Sequence, residues 1–341
     1  MKKILVTGGC GFIGSNFIRH IIDKSHFICN LDKLTYAGNP ENLKNISDRK
    51  NYKFVKGDIC DPKIVEKIMR GHDIDTIINF AAESHVDRSI LGPEIFTRTN
   101  VLGTQTLLDV SRNVWGEKGS KKILFIQIST DEVYGSLGRT GKFKETTPLS
   151  PNSPYSASKA SADLIVLAYF HTFGYPSIVT RCSNNYGPYQ FPEKLIPLMV
   201  INALSGKKLP VYGDGRNVRD WLFVDDHCSA IEAVMNKGKT GEIYNIGGNN
   251  EWANIDVVKE ILEQLGKPGS MIEFVKDRLG HDRRYAMDAG KIMKQLGWRP
   301  RYRFEKGLKD TVQWYLENTD WWNKVISGEY QHYYLKNYKG R

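Results

Sequence analysis

Short runs of consecutive apolar residues alternate with longer stretches of helical periodicity over the first 180 residues or so. Ile4-Leu5-Val6 is a continuous apolar run, as expected of a strand buried on both faces. The segment from Ser15 to Ile22 then reads as a helix, with Phe17, Ile18, Ile21 and Ile22 at helical spacing. Further strands are predicted at residues 27–31, 52–59, 76–82, 122–128 and 177–181, and helices at 100–114 and 155–170. Strands that alternate with helices predict a parallel, doubly wound α/β sheet. Beyond about residue 190 the segments shorten and mix, with Gly and Pro between them, as in Leu209-Pro210-Val211-Tyr212-Gly213-Asp214-Gly215. We therefore expect one domain over residues 1–190 and a smaller, mixed α/β substrate lobe over 191–341. Re-entry into the first domain around 220–248 stays open, because 227–234 is helix-like.

The link between the first strand and the first helix is Gly8-Gly9-Cys10-Gly11-Phe12-Ile13-Gly14. A glycine triplet also occurs in ordinary strand-to-helix turns. Here, however, the second strand ends in Asp32, near the separation of about 20 residues at which a dinucleotide fingerprint places its ribose-binding acid. The turn lets backbone approach a pyrophosphate, and the helix N-terminus offers it free N–H groups. This makes the first domain a Rossmann-type, dinucleotide-binding one. Asp32 would repel a ribose 2′-phosphate, which favours NAD over NADP; Lys33 beside it weakens that preference. Asp58, ending the third strand, either faces the adenine or caps the helix near Pro62. Ala81 and Ala82, ending the fourth, are small enough for a cofactor to pack on the backbone.

Of the 341 residues, 40% are hydrophobic and 25% charged, so a buried core is expected. No run approaches the roughly 20 apolar residues of a membrane span. The five cysteines are scattered, giving neither a disulfide framework nor a metal site, and fit a reducing compartment. With a first strand that starts at once and no leader pattern, a cytoplasmic location is expected. The net charge of +10 is spread along the chain without a nucleic-acid motif, so it reads as a solvated surface, part of it serving an anionic small substrate. The aromatic residues Trp314, Tyr315, Trp321, Trp322, Tyr330, Tyr333, Tyr334 and Tyr338 read as packing or a partner surface.

Tyr155 and Lys159 lie four apart on a helix and so share a face. A lysine near a phenol favours the phenolate, so the pair can take a proton from a hydroxyl as hydride leaves for a nicotinamide. Ser129-Thr130-Asp131-Glu132 lies at the end of the fifth strand. Two adjacent carboxylates there can act as acid and base if their environments separate their pKa values; otherwise they are loop or capping acids.

The Gly8/Gly11/Gly14 and Tyr155/Lys159 motifs resemble those of the extended short-chain dehydrogenase/reductases that act on nucleotide sugars, over essentially the whole chain. The segments 32–39, 81–89 and 129–135 are similar to the dTDP-glucose 4,6-dehydratases within that family. The resemblance implies a nucleotide-sugar substrate, dTDP-glucose or a UDP-linked relative, a tightly held NAD and a homodimer paired through helices 100–114 and 155–171. It implies that Tyr155 takes the C4 hydroxyl proton with help from Lys159 and Thr130, that Glu132 takes the C5 proton, and that Asp131 protonates the departing C6 hydroxyl. A sugar 4-epimerase has the Tyr and Lys but lacks the acidic pair. The implied cofactor contacts are Gly8, Gly11, Phe12, Ile13, Gly14, Asp32, Lys33, Leu34, Thr35, Asp58, Ile59, Phe80, Ala81, Ala82, Ser84, Thr99, Tyr155, Lys159 and Asn185. The implied substrate contacts are Ser84, Thr130, Asn184, Lys194, Leu195, Pro210, Val211, Tyr212, Arg219, Asn254, Arg278 and His281, with Arg219 and His281 as cations for the diphosphate. Arg219 could instead pair with Asp220 or Asp225, and Asn254 could be an N-cap. Leu279 stands where the family more often has Pro, which affects the local loop shape. The alternative from another class, a non-catalytic NAD-binding sensor, would be expected to lose Tyr155, Lys159 or the acidic pair.

Overall fold

Ile4, Leu5 and Val6 are fully buried, so both faces of the first strand must be covered by helices. The computed structural model describes residues 1–118 and 123–326. In chain order its elements begin β1 (Lys3–Thr7), α1 (Phe12–Ile21), β2 (Phe27–Asp32), β3 (Tyr52–Lys56), α2 (Pro62–His72), β4 (Thr76–Asn79), α3 (Val86–Leu91), α4 (Pro93–Phe96), α5 (Gly103–Lys118), β5 (Leu124–Thr130), α6 (Pro154–Phe173) and β6 (Ser177–Cys182). They continue with β7 (Asn184–Tyr186), α7 (Leu195–Leu204), β8 (Leu209–Tyr212), β9 (Val218–Phe223), α8 (Val224–Lys237), β10 (Ile243–Ile246), β11 (Glu251–Ala253), α9 (Asn254–Gln264), β12 (Ile272–Val275), α10 (Gly290–Leu296), α11 (Phe304–Glu317) and α12 (Thr319–Ile326).

Seven strands form one parallel sheet in the order β10-β6-β5-β4-β1-β2-β3. The order reverses between β1 and β4, and ligands of such sheets bind in the crevice outside the strand ends at that point. In register, Thr7 lies opposite Asn79, and Asn79 opposite Gln127. A buried polar chain fixes this alignment: the Thr7 hydroxyl donates to Asn79 Oδ1 (2.6 Å), and Asn79 Nδ2 donates to Gln127 Oε1 (2.8 Å). β5 runs three residues further than Gln127, so Thr130 stands beyond the ends of β1 and β4.

The second lobe holds a three-stranded sheet, β11-β9-β7, and a two-stranded one, β12-β8. α7, α9, α11 and α12 pack on them around Met199, Val200, Val257, Ile261, Phe304, Leu308 and Trp322. β10 and α8, which packs on α1, both belong to the seven-stranded half. Trp314, Tyr315, Trp321 and Trp322 are packing residues of this lobe, with the Tyr189 ring 4.7 Å from that of Trp314; Tyr330, Tyr333, Tyr334 and Tyr338 lie outside the described residues.

One helix start differs from the sequence pattern. Instead of an α-helix from residue 100, a π-helical turn spans Thr97–Leu102 before α5. The buried Asn100 side chain there accepts from the Glu83 amide (2.9 Å) and donates to the Glu83 carbonyl (3.0 Å) and Ser158 Oγ (2.8 Å). Such turns often occur at functional sites. Among the described residues no helix is long and apolar enough to cross a membrane.

Candidate active site

The glycine turn sits tightly against the end of β4. A Cβ on Gly8, whose φ is +68°, would lie 2.7 Å from Ala81 Cα, and one on Gly14 would lie 2.4 Å from the Gly8 carbonyl oxygen. Only glycine fits at either place. The first turn of α1 has no capping side chain and no acid, so its N-terminal N–H groups are left for an anion. Asp32 is buried and accepts from the Cys10 and Leu34 amides, each at 2.8 Å. Burial raises its pKa and the two amides oppose that rise. Lys33 Nζ is 2.8 Å from Asp58, so its charge is met by a carboxylate. Asp58 does not cap α2; Asp61 does, accepting from the Lys63 amide. Asp58 instead lines the cleft and accepts from the Cys60 amide.

One cleft is lined by every anticipated cofactor contact except Leu34, which has φ +57° and bonds Asp32 through its amide. The glycine cradle, the uncapped helix and the inward acid fit a dinucleotide. The same cleft reaches Ser129, Thr130, Asp131, Glu132, Tyr155 and Lys159. Thr130 Oγ1 accepts from the Glu132 amide at 3.3 Å, which begins the short 3-10 turn Asp131–Tyr134 and turns both acids away from the strand line. Burial, then the neighbouring Glu132 charge, pushes the Asp131 pKa well above the carboxylate range. Burial also raises that of Glu132, but Arg278, Lys194 and Arg219 pull it back. Asp131 Oδ2 is buried without a hydrogen-bond partner.

Tyr155 departs from the sequence expectation. Burial, then the Glu132 charge, holds its pKa well above the usual phenol value, opposed by a hydrogen bond from Thr130. Lys159 directs Nζ to the Ile128 carbonyl oxygen at 2.7 Å, and burial lowers its own pKa while Asp163 raises it.

Asn184 and Lys194 line the cleft beside Ser84, whose carbonyl accepts from Lys194 Nζ at 3.1 Å. Leu195, Pro210, Val211, Tyr212, Arg219, Asn254, Arg278 and His281 lie outside that cleft, and Val211 is packed into the core of the second lobe. Arg219 makes no ion pair with Asp220 or Asp225. It donates to the carbonyls of Val218 (2.8 Å) and Asp282 (2.9 Å), and its guanidinium lies 4.3 Å from the Tyr285 ring centroid. His281 Nδ1 is 2.6 Å from Asp277, the geometry of an ion pair. Burial and the nearby Arg278 and Arg219 charges push its pKa down to about 4, however, so at neutral pH the contact is a neutral imidazole on a carboxylate. Asn254 does not cap α9; Asn254 Oδ1, Asn184 Oδ1, Asn217 Oδ1 and Arg278 Nε are all buried without a hydrogen-bond partner. Buried polar atoms left unpaired are costly, and of these Asn184 Oδ1 belongs to a residue that lines the cleft.

Sequence reasoning missed Glu193 and Tyr285. Glu193 lines the cleft and accepts from Tyr36 at 2.9 Å. Tyr285 donates to Asp282 (2.5 Å) and feels the Glu132 charge. Neither stands in a local motif. Among the described residues no group of three or more His, Cys, Asp or Glu side chains could hold a metal.

Residues 5–311 match the family described as GDP-mannose 4,6 dehydratase. A dTDP-glucose 4,6-dehydratase of Xanthomonas campestris pv. campestris is 54% identical, with 97% of this chain and 98% of that protein covered. The chain is a member of the dTDP-glucose 4,6-dehydratase family. The crystal structure of a family member from Bacillus anthracis, in complex with NAD, superposes with a TM-score of 0.88 at 55% identity, covering 95% of this chain and all of that one. Another, from Streptomyces venezuelae with NAD bound, gives 0.90 at 49% identity over 95% and 99% of the two chains. The dTDP-glucose 4,6-dehydratase fold is thus the fold of this chain over 95% of its length.

Proposed function

We propose that the protein dehydrates dTDP-glucose to dTDP-4-keto-6-deoxyglucose with an NAD held through the cycle. The observation that carries this is the adjacent buried pair Asp131 and Glu132, whose proton affinities are split by their surroundings, in the same cleft as Tyr155 and the glycine cradle. Bound NAD supplies an acceptor for the C4 hydride and returns that hydride to C6. Tyr155 takes the C4 hydroxyl proton, with the Thr130 hydroxyl opposing the rise in its pKa and the Lys159 ammonium, one turn along the same helix, offered as the partner of the phenolate once it forms. The resulting 4-keto group acidifies C5. Glu132, kept the more acidic of the pair by Arg278, Lys194 and Arg219, takes the C5 proton. Asp131, whose pKa burial raises well above the carboxylate range, gives its proton to the departing C6 hydroxyl. Glu132 then returns a proton to C5. Arg219, Arg278 and Lys194 supply the charge for the diphosphate, and the unpaired amide oxygens of Asn184 and Asn254 supply acceptors.

The purified protein incubated with dTDP-glucose should develop the alkali-induced absorbance of a 4-keto sugar. Product from UDP-glucose but not dTDP-glucose would overturn the base assignment. Absence of product with either would overturn the enzyme reading.

We also infer a homodimer and a cytoplasmic location. Ile90, Leu91 and Ile95 on α3 and α4, Leu102 at the end of the π-helical turn before α5, and Leu164 and Phe173 on α6 are large apolar residues exposed on adjoining helices. A second copy of the same face would cover them.

A further inference from the structure

A chemistry in which hydride leaves and returns within one turnover needs a cofactor that does not exchange midway. The inference here rests on that reading. Residues 187–194 leave β7, cross from the second lobe to the seven-stranded half, and end at α7. Their inner side, including Gln190, Phe191 and Glu193, lines the same cleft as the glycine turn.

The segment is fastened at both ends to the half that carries the cradle. At one end Asn16 Nδ2, on the pyrophosphate-facing helix α1, donates to the Pro188 carbonyl at 2.9 Å. The Arg19 guanidinium lies 4.7 Å over the Tyr189 ring, and Tyr189 itself is held at φ +67°, a conformation non-glycine residues adopt rarely. At the other end the fastening is Tyr36, on the loop that follows Asp32. Its hydroxyl donates to the buried Glu193 carboxylate (2.9 Å), and its ring meets Phe191 edge-on at 5.4 Å. The Arg88 guanidinium stacks on that ring at 3.6 Å and reaches Glu193 at 3.5 Å.

We propose that residues 187–194 form a strap that closes over the loaded dinucleotide, with Tyr36 as its fastening, so that one cofactor molecule serves many turnovers. Tyr36 does not line the cleft. It therefore acts on retention through the strap and not by touching the cofactor. The buried hydroxyl-to-carboxylate bond is the part a single atom can remove, and a strained Tyr189 adds a tendency to spring open once it is lost.

The test compares wild type with Tyr36→Phe and, at the opposite fastening, Asn16→Ala. Each is purified, its bound NAD is quantified, and release is followed by exchange against an excess of a fluorescent NAD analogue. Loss of one hydrogen bond to a buried carboxylate should speed NAD release by about tenfold or more. Tyr36→Phe should also be isolated with less NAD, melt with wild-type cooperativity, and regain turnover when NAD is added. Wild-type release rates in both variants would overturn the strap. Faster release without recovery of turnover in excess NAD would overturn it too, because Tyr36 would then act in the chemistry. A wild-type chain that neither carries nor binds NAD would overturn the dinucleotide reading and the strap with it.

Discussion

Glu132→Gln separates the two halves of the reaction, and the surroundings of Glu132 set the expected size of the effect. Glutamine keeps the volume of the side chain but cannot take the C5 proton. Losing a positioned general base costs about 10² to 10⁴ in rate. At 1.36 kcal/mol per decade this is about 3 to 5 kcal/mol on the barrier of the elimination step. The oxidation step should respond differently. The Glu132 charge is one of the causes that raise the Tyr155 pKa, so removing it eases formation of the phenolate. Oxidation at C4 should therefore persist, and reduced cofactor should accumulate to nearly one equivalent per site. Rapid mixing with dTDP-glucose, followed by the absorbance of the reduced nicotinamide and by 4-keto-6-deoxy product, reads both steps at once. In deuterated water the recovered sugar should carry no deuterium at C5, whereas wild-type product should. Unchanged turnover, or reduced cofactor that falls in step with product, would refute the assignment.

Three other outcomes are expected. Burial, then the Glu132 charge, raises the Asp131 pKa well above the ordinary aspartate value of 3.8, so above pH 3.8 the folded protein retains a proton that the unfolded chain releases. That stability is complete below pH 3.8 and declines as pH rises toward the folded-state value, so Asp131→Asn should melt above wild type at neutral pH and match it in acid, while losing most activity. His227 is fully buried against Asn185 Oδ1 (2.8 Å), and burial pushes its pKa down to about 3 from 6.5, so the unfolded chain binds the extra proton below pH 6.5. Between those values stability should fall by about 1.4 kcal/mol per pH unit, and urea unfolding of His227→Gln should show a shallower slope by that amount; an identical slope would refute it. Leu164, 57% exposed on α6, should be covered in a dimer, so Leu164→Glu should shift the mass measured by light scattering toward the monomer. A wild-type mass of one chain would refute the proposed face.

Legibility followed sequence distance. The buried run Ile4-Leu5-Val6, the glycine turn and Asp32 form a local pattern, and the sheet places them as that pattern predicts. The ends of the elements were less legible. Asp61, not Asp58, caps α2, because both acids precede Pro62 and only backbone geometry chooses between them. The π-helical turn before α5 arises from bonds between Asn100 and Glu83, which a helical period cannot report. The site itself was legible where it stands on strand ends. Glu193 and Tyr285 were not, since each acquires its place only when the second lobe folds back on the first. In the second lobe, strands of three to six residues carry too little periodicity to reveal their pairing.

The division of labour within the acidic pair is a property of the whole fold. Burial alone acts on Asp131 and Glu132 alike, raising both. What separates them is the set of cations facing each. Glu132 faces Arg278, Lys194 and Arg219, all from the chain beyond residue 190, whereas Asp131 faces Arg219 with Glu132 and Asp220 opposing it. The strand end thus supplies two carboxyl groups that burial treats alike, and the second lobe sets their proton affinities apart, which is what the proposed roles of base and acid require. A 4-epimerase needs only oxidation, rotation and reduction, so it has no use for that division. Reversing the bias should therefore matter more than weakening substrate binding. Replacing Arg278 with Met removes the cation that does most to oppose the rise in the Glu132 pKa. The pH below which elimination fails should rise in that variant, while oxidation at C4, which does not need Glu132 as a base, keeps its wild-type acid limit. An acid limit for both steps that moves together would show that Arg278 serves only to hold the diphosphate.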